Sequence, residues 1–386
     1  MNYGNSPDDS LELSRNKPFR PSKLAVLFEC PWQYLLSTEH PKTSMLGLNP
    51  IGVLGSSMHK IIEKNAGEHH FKGLEVQQLI QEEFKKQITK LPNNFLKWTF
   101  QKYGMNGVIN PARLLSAAQL AFKSIRSSPQ KTNILQYFPS NSEESKSNFI
   151  RESKFFSLDL DLEGWPDLVY KNENSVHVVD YKLSLSRSED GSPKESYILQ
   201  AAAYGLLAKE LNRNSDVILE LTSPSDNWAR SLDKVLENKV KETLTSASTI
   251  LPKGKSFQIL QLARLGNHCT KCNFRPSCSA YTNNLLSISS DQGDSISKND
   301  VVGNIISINQ IKNTIRIELE TNLLNRKVTI EGLVPEIHSN LKIGDFLFGY
   351  ELSTSEIKGR GTYVANFHIL NSATPHSSAF SSFIKT

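Results

Sequence analysis

The sequence predicts a mixed α/β protein: a mixed sheet flanked by helices, with a helical insertion before it and a small C-terminal all-β barrel after it. Three observations predict this. Helix-period apolar spacing prevails up to about residue 125, and period-two alternation takes over from Phe156, followed by a helix and a further strand. A Ser/Asp/Gly-rich stretch then precedes five short β-patterned runs.

Taken in order, Met1 to Lys17 is polar and is expected to fray, giving a tail over 1–18. From Ser22 to Leu36 the apolar residues Leu24, Leu27, Phe28, Trp32, Leu35 and Leu36 follow a helical period. Ser22 is the expected N-cap, and Pro31 is expected to kink or split the helix. Helical patterns recur over 54–65, 74–90 and 111–125. Phe156, Leu158, Leu160 and Leu162 then alternate with polar residues as a strand would, with a turn expected at Glu163-Gly164. Strands follow at Trp165 to Tyr170 and Ser175 to about Leu183, then a helix from Lys194 to Leu211, a strand over 216–221 and an amphipathic helix around 232–247. These segments make one domain over 19–286. The composition of 287–300 marks a linker, 301–371 reads as a barrel with an OB-like fold as the expectation, and 372–386 as a second loose tail.

With 38% hydrophobic and 22% charged residues, the 386-residue chain can bury a large core and is not a disordered or fibrous sequence. The formal charge of +5 is unevenly spread: residues 1–280 carry +6 and the remainder −1, so any polyanion is expected to meet the earlier part. No apolar run approaches the roughly 20 residues needed to span a bilayer, and the first 18 residues lack a secretory apolar core, so a cytoplasmic location is expected. Four cysteines, three of them within ten positions, suit metal ligation better than a disulfide framework.

Pro166-Asp167 falls on one expected strand and Asp180-Tyr181-Lys182 closes the next. Alternation puts Asp180 and Lys182 on one face and Tyr181 on the other, so a hairpin gathers two carboxylates and an ammonium. Hard oxygen ligands of this kind hold Mg²⁺ or Mn²⁺, and a lysine beside them suits phosphodiester hydrolysis. The triplet alone also fits a solvated ion pair, since acid-any-Lys begins again at Glu83, Glu152, Glu237 and Glu356. Gln200 and Tyr204, at i and i+4, project from one helix face toward the same region. His59, on an early helix, offers an imidazole, and Glu152 is a weaker acidic candidate. Cys269, Cys272 and Cys278 form C-x2-C-x5-C with Cys30 remote, a set that suits zinc or an iron–sulfur cubane; the three-plus-one distribution favours iron–sulfur. Gly254-Lys255-Ser256 is not a phosphate loop, because Thr249 stands where its first Gly is required.

Six stretches, PSKLAVLFECPWQYLL, LGSSMHKIIE, GWPDLVY, HVVDYKLS, QAAAY and CTKCNFRPSC, together resemble the RecB-type branch of the PD-(D/E)xK nucleases, in that family's order. The likeness is to its iron–sulfur subgroup, which includes AddB-type helicase-nuclease subunits and CRISPR-associated RecB-like exonucleases. The resemblance implies a restriction-endonuclease-like sheet and a metal-dependent deoxyribonuclease acting on single strands or DNA ends, in repair, CRISPR-type processing or defence. It implies His59, Asp167, Asp180 and the Tyr181 carbonyl as ligands of Mg or Mn, Lys182 as the catalytic lysine, Gln200 and Tyr204 as its support, and Cys30, Cys269, Cys272 and Cys278 as ligands of a 4Fe-4S cluster. No ATP site is visible, so a helicase or other DNA-processing subunit is the expected partner wherever duplex unwinding is required. The alternative is a non-catalytic DNA-binding or scaffolding subunit that keeps the fold. The aromatics Phe346, Phe348, Tyr350, Tyr363 and Phe367 leave strand binding or protein docking open for the last domain.

Overall fold

The computed structural model describes residues 12–41, 46, 49–65, 68, 70–91, 95–126, 149–150, 153–172, 174–211, 215–287, 300–320, 327–333, 335–350, 352–354, 362–364 and 382–385. Order begins earlier than the polar leader implies: β1 (Glu12–Ser14) pairs antiparallel with a strand near residue 257. Arg15 behind it is buried, with its Nη1 2.6 Å from Asp161. Pro31 splits the first helix, as its missing N–H requires: α1 (Leu24–Glu29) and α2 (Pro31–Glu39) meet at Cys30, whose backbone is extended at φ −152. Ser22 is not the N-cap; it lies within a 3-10 turn, Pro21–Lys23, and Lys23 occupies the cap position.

The helical insertion comprises α3 (Pro50–Asn65), α4 (Gly73–Lys90), α5 (Phe95–Tyr103) and α6 (Pro111–Arg126). Of these only α5 is unanticipated. The expected strand over 156–162 is instead a hairpin of β3 (Phe155–Ser157) and β4 (Leu162–Gly164). Its reversal is local chemistry: Leu160 N donates to Ser157 Oγ at 3.1 Å, Asp161 N to the Leu158 carbonyl at 3.1 Å, and Asp161 takes a positive φ of 45 where its short polar side chain is tolerated. Glu163-Gly164 is therefore strand, not turn. Glu152 lies outside the described residues.

The central sheet has the order β2 (Phe149–Ile150), β5 (Leu168–Asn172), β6 (Ser175–Tyr181), β7 (Asp216–Thr222), β8 (Asn227–Ser231). β5 and β6 form an antiparallel hairpin, while β6 and β7 run parallel in continuous register from Ser175↔Asp216 to Tyr181↔Thr222. The connection between them carries α7 (Glu195–Leu211), as a parallel crossover requires. Period-two alternation divides the sheet between two cores. Val176, Val178, Val217 and Leu219 pack with α7, α1 and α2, whereas Leu168, Val179 and Tyr181 pack with α3, α4 and α6. The alanines of α7 let it lie close to the sheet; a Cβ at Gly205 would stand 2.6 Å from Leu219. α8 (Lys234–Ile250) covers α7 and starts at Asp233, whose carboxylate accepts from Leu236 N at 2.9 Å. β9 (Ser256–Gln258), α9 (Ile259–Leu262) and α10 (Ser279–Ser287) complete this part.

Beyond residue 300 the described pairings form a seven-stranded sheet of β10 (Val301–Ile311), β11 (Thr314–Glu320), β12 (Lys327–Leu333), β13 (Phe346–Tyr350), β14 (Ser353–Thr354), β15 (Thr362–Val364) and β16 (Ser382–Lys385), with α11 (Pro335–His338) between β12 and β13. β16 falls in the stretch expected to be a loose tail and pairs with β13. No pairing among the described residues joins the β13–β16 edge to the β14–β15 edge, so closure into a barrel is not among them. The link to the rest is a buried ion pair: Arg275 Nε contacts Asp300 Oδ2 at 2.8 Å, Tyr281 Oη donates to the same oxygen at 2.5 Å, and Arg275 also donates to the carbonyls of Thr270 and Cys272. No helix among the described residues is long and apolar enough to cross a membrane.

Removing one member of such a pair strands the other charge in the interior. Asp300→Ala is expected to cost about 3–5 kcal/mol, read as a fall in thermal melting temperature, with Asp300→Asn costing less because an amide oxygen still accepts from Arg275.

Candidate active site

One cavity of about 340 Å³ is lined by Ser22, Ser56, His59, Lys60, Trp165, Asp167, Asp180, Tyr181, Lys182, Gln200 and Tyr204. It therefore gathers seven of the eight non-cysteine residues that the sequence suggests for the site, His59, Asp167, Asp180, Tyr181, Lys182, Gln200 and Tyr204, the eighth being Glu152. Four elements supply them. Asp167 sits just ahead of β5, Asp180 and Tyr181 end β6, His59 comes from α3, and Gln200 and Tyr204 come from α7. The face pattern is as expected: Tyr181 packs into the core with α3, α4 and α6, while Asp180 is 4% exposed on the α7 side.

The side chains are hydrogen-bonded into a chain. His59 Nδ1 is 3.0 Å from Asp167 Oδ1, and the Tyr181 N–H donates to Asp167 Oδ2 at 2.6 Å. Lys182 Nζ is 2.7 Å from Asp180 Oδ2 and donates to Gln200 Oε1 at 3.1 Å. Its ammonium also lies 5.1 Å from the centroid of the Tyr197 ring. The Lys182 backbone N–H donates to the Thr222 carbonyl at 2.8 Å, which extends the β6–β7 register by one residue and fixes where the side chain starts. Tyr204 hydrogen-bonds Gln200 and Ser22. Gly164 makes room for it, since a Cβ there would stand 2.5 Å from the phenol ring.

The two carboxyls end on opposite sides of the ordinary range. Burial raises Asp180 from 3.8 to about 7, and neighbouring Asp167 adds to the rise against the opposing pull of Lys182. Asp167 is also pushed up by burial, but His59, the Tyr181 N–H and Lys182 outweigh this and hold it below the ordinary range. At neutral pH Asp167 is thus ionised while Asp180 stands near the midpoint of its titration. Tyr204 is raised by burial and then by the charges of Asp180 and Asp167, so it stays a neutral phenol.

Among the described residues no three His, Cys, Asp or Glu side chains stand in a ready-made metal-holding group. The donor chemistry nevertheless fits a hard divalent cation. Asp180 Oδ2 is buried, with the Lys182 ammonium 2.7 Å away as its charged neighbour. Two carboxylates meeting at one cavity wall are the hard oxygen donors such an ion takes.

The cysteines come together away from this cavity. Cys30 sits between α1 and α2, and Cys269, Cys272 and Cys278 flank two short 3-10 turns, Asn267–Lys271 and Arg275–Ser277. All four are free thiols, and Cys30 interacts electrostatically with each of the other three. Burial pushes up the Cys269, Cys272 and Cys278 thiols, Cys272 to about 12 and Cys278 to about 11, with the neighbouring sulfurs adding to the rise. A second cavity, bordered by Ser188, Glu195, Arg230 and Lys239, contains none of these residues, and its two cations are already paired, Lys239 with Glu195 at 2.5 Å and Arg230 with Asp233 at 2.6 Å.

A family model described as the PD-(D/E)XK nuclease superfamily matches residues 18–279. The chain belongs to that superfamily. Its members are nucleases that typically use Mg or Mn. No curated protein matches the chain. A solved structure described as "Crystal structure of SSO0001" aligns at 15% identity over 60% of this chain and 95% of that one, with a TM-score of 0.26. For a PD-(D/E)XK nuclease, the residues that sequence reasoning passed over are Ser22, Ser56, Lys60 and Trp165 on the cavity wall, and Tyr197 under Lys182. Two of them carried a signal: Lys60 adjoins His59, and Trp165 directly precedes Pro166-Asp167.

The raised Asp180 carboxyl makes a pH prediction for chelated protein. Its folded value of about 7 lies above the ordinary 3.8, so its ionisation penalises the folded state fully above pH 7, less as pH falls, and not at all below 3.8. Asp180→Asn is therefore expected to melt above wild type at pH 8 in EDTA, with the difference shrinking toward pH 4; a difference that does not vary with pH would contradict the assignment.

Proposed function

We propose that this PD-(D/E)XK nuclease hydrolyses DNA phosphodiester bonds with Mg²⁺ or Mn²⁺, on single strands or DNA ends as an exonuclease. The observation that carries the reading is the meeting of Asp167, Asp180 and Lys182 in one cavity at the end of β5–β6. Asp167 and Asp180 would hold the ion, with His59 and the Tyr181 carbonyl contributing. When bound, the ion supplies an acidified water and charge to offset that developing on the phosphate. Asp180 must give up its proton to bind it, and Lys182, already paired with that carboxylate, keeps the resulting charge balanced. Gln200 accepts from the Lys182 ammonium and so aims it, Tyr197 offers its ring face, and Tyr204 steadies Gln200 from one helical turn away. The excess positive charge of residues 1–280 suits a phosphate backbone.

The finer readings rest on the same footing. We infer that the chain belongs to the RecB-like iron–sulfur subgroup, with Cys30, Cys269, Cys272 and Cys278 ligating a 4Fe-4S cluster; four free, mutually interacting thiols support this. We take 19–286 as the nuclease unit and 301–371 as an OB-like unit; support comes from the β10–β11–β12 meander, the parallel pairing of β12 with β15 and the return of β13 beside β10. A separate helicase would supply any unwinding, in repair, CRISPR-type processing or defence in the cytoplasm.

Digestion of end-labelled single- and double-stranded DNA with Mg²⁺ or Mn²⁺ tests the activity. Asp180→Ala and Lys182→Ala are each expected to lose at least about a hundredfold in rate; equal activity in all three proteins would reject the catalytic assignment and leave the scaffolding alternative. For the cluster, anaerobically purified protein is expected to be brown, with stoichiometric iron and sulfide lost on Cys272→Ala. Colourless protein carrying one zinc would replace iron–sulfur with zinc.

A further inference from the structure

The hairpin beside the cavity has an unusual exposed face. Phe156 and Trp165 are 46% and 38% exposed, and Leu158 at the turn is 80% exposed. Register pairs Phe156 with Glu163, and alternation places Lys154 with Phe156 and Trp165 with Glu163 on that same face. Lys154 Nζ stands 5.7 Å from the centroids of both rings, and Arg20 Cζ stands 5.3 Å from that of Trp165. A single buried carboxylate organises the two cations: Glu163 is 3.2 Å from Arg20 and 2.7 Å from Lys154. Trp165 is also part of the wall of the cavity holding Asp167, Asp180 and Lys182.

Two cations share one acid here, so the face keeps a positive charge beside two ring surfaces left in water. We propose that this face is a stacking platform for unpaired bases of single-stranded DNA, with Trp165 as its central residue and Arg20 and Lys154 meeting the backbone. The proposal rests on the nuclease reading and deepens it by naming what the site selects. Aromatic rings flanked by basic side chains are what unpaired strands bind to, independently of sequence. An interior duplex base already has a neighbour on each face and has no ring surface to offer. Continuity with the cavity means that a strand held at Trp165 presents its next phosphate toward Asp167 and Asp180. Glu163 is a positioning residue in this scheme, holding both cations at the rings.

The test is binding of the full chain in EDTA, where no divalent ion supports turnover, to fluorescein-labelled oligothymidine and to a blunt duplex of equal length. Trp165→Ala is expected to weaken single-strand binding about tenfold or more while changing duplex binding less than about twofold; Trp165→Phe, which keeps a ring, should stay within about threefold, and Leu260→Ala, an exposed apolar control, should match wild type. Melting curves establish that each variant is folded. Unchanged single-strand affinity in Trp165→Ala, an equal loss for both DNAs, or no single-strand binding by wild type would each overturn the platform. The two readings fail separately: cleavage surviving in Asp180→Ala rejects the catalytic assignment whatever Trp165 does, whereas cleavage lost in Asp180→Ala with binding unchanged in Trp165→Ala rejects the platform alone.

Discussion

The contact between Asp180 and Lys182 is the interaction on which the candidate site depends. A carboxyl buried beside a second carboxyl is driven to keep its proton, and burial and Asp167 do push Asp180 in that direction. Lys182, 2.7 Å away, opposes both effects, so the group stands near the point where it can exchange a proton for a cation. Moving the ammonium would leave Asp180 neutral and a poor ligand; replacing Asp180 would leave a half-buried lysine without its acid. Asp167 is held differently, by His59 on one oxygen and the Tyr181 N–H on the other. Two neighbouring acids are thus shifted in opposite directions because their donors differ.

The frame exists to keep that contact in register. Asp180 and Lys182 are at the end of β6, whose position is set on one side by the β5 hairpin and on the other by parallel pairing with β7. A one-residue slip of β6 would send Asp180 into the core with α3, α4 and α6 and turn Tyr181 toward α7, and each of those faces is packed. Helix α7 then closes the cavity. Its small residues bring it near enough to the sheet for Gln200 to reach Lys182, and Gly164 admits the Tyr204 ring on the other side.

Much of this was legible in the sequence, because the relevant signals are periodic. Alternation in 176–182 separated Asp180 and Lys182 from Tyr181, and the i, i+4 spacing of Gln200 and Tyr204 put both on the face that meets the site. What sequence reading missed was set by tertiary contacts. The leucines at 158, 160 and 162 mimic a strand, yet Arg15 from the distant N-terminal stretch holds Asp161 in a turn. β8 is polar over Asn227–Ser231 and mostly exposed, so it carries no alternation to find. Trp165 looked like one more strand residue. Only the pairing of Phe156 with Glu163 reveals that its ring shares a surface with two cations.

The cysteine loop and the C-terminal sheet cannot be treated as independent attachments. One guanidinium serves both: Arg275 donates to the carbonyls of Cys269, Thr270 and Cys272 within the loop and pairs with Asp300, the residue before β10. Tyr350 of β13 lies over the same guanidinium, its ring centroid 5.6 Å from Cζ, and Cys269 shares an apolar cluster with Val302, Phe348 and Tyr350. The arginine reaches Asp300 with the loop carbonyls facing inward around it, and two of those carbonyls belong to Cys269 and Cys272, which also carry the thiols. The loop conformation that gathers the sulfurs is thus the conformation that anchors the sheet. Anything that reorganises the backbone of Cys269 and Cys272 must therefore disturb the Arg275–Asp300 junction as well.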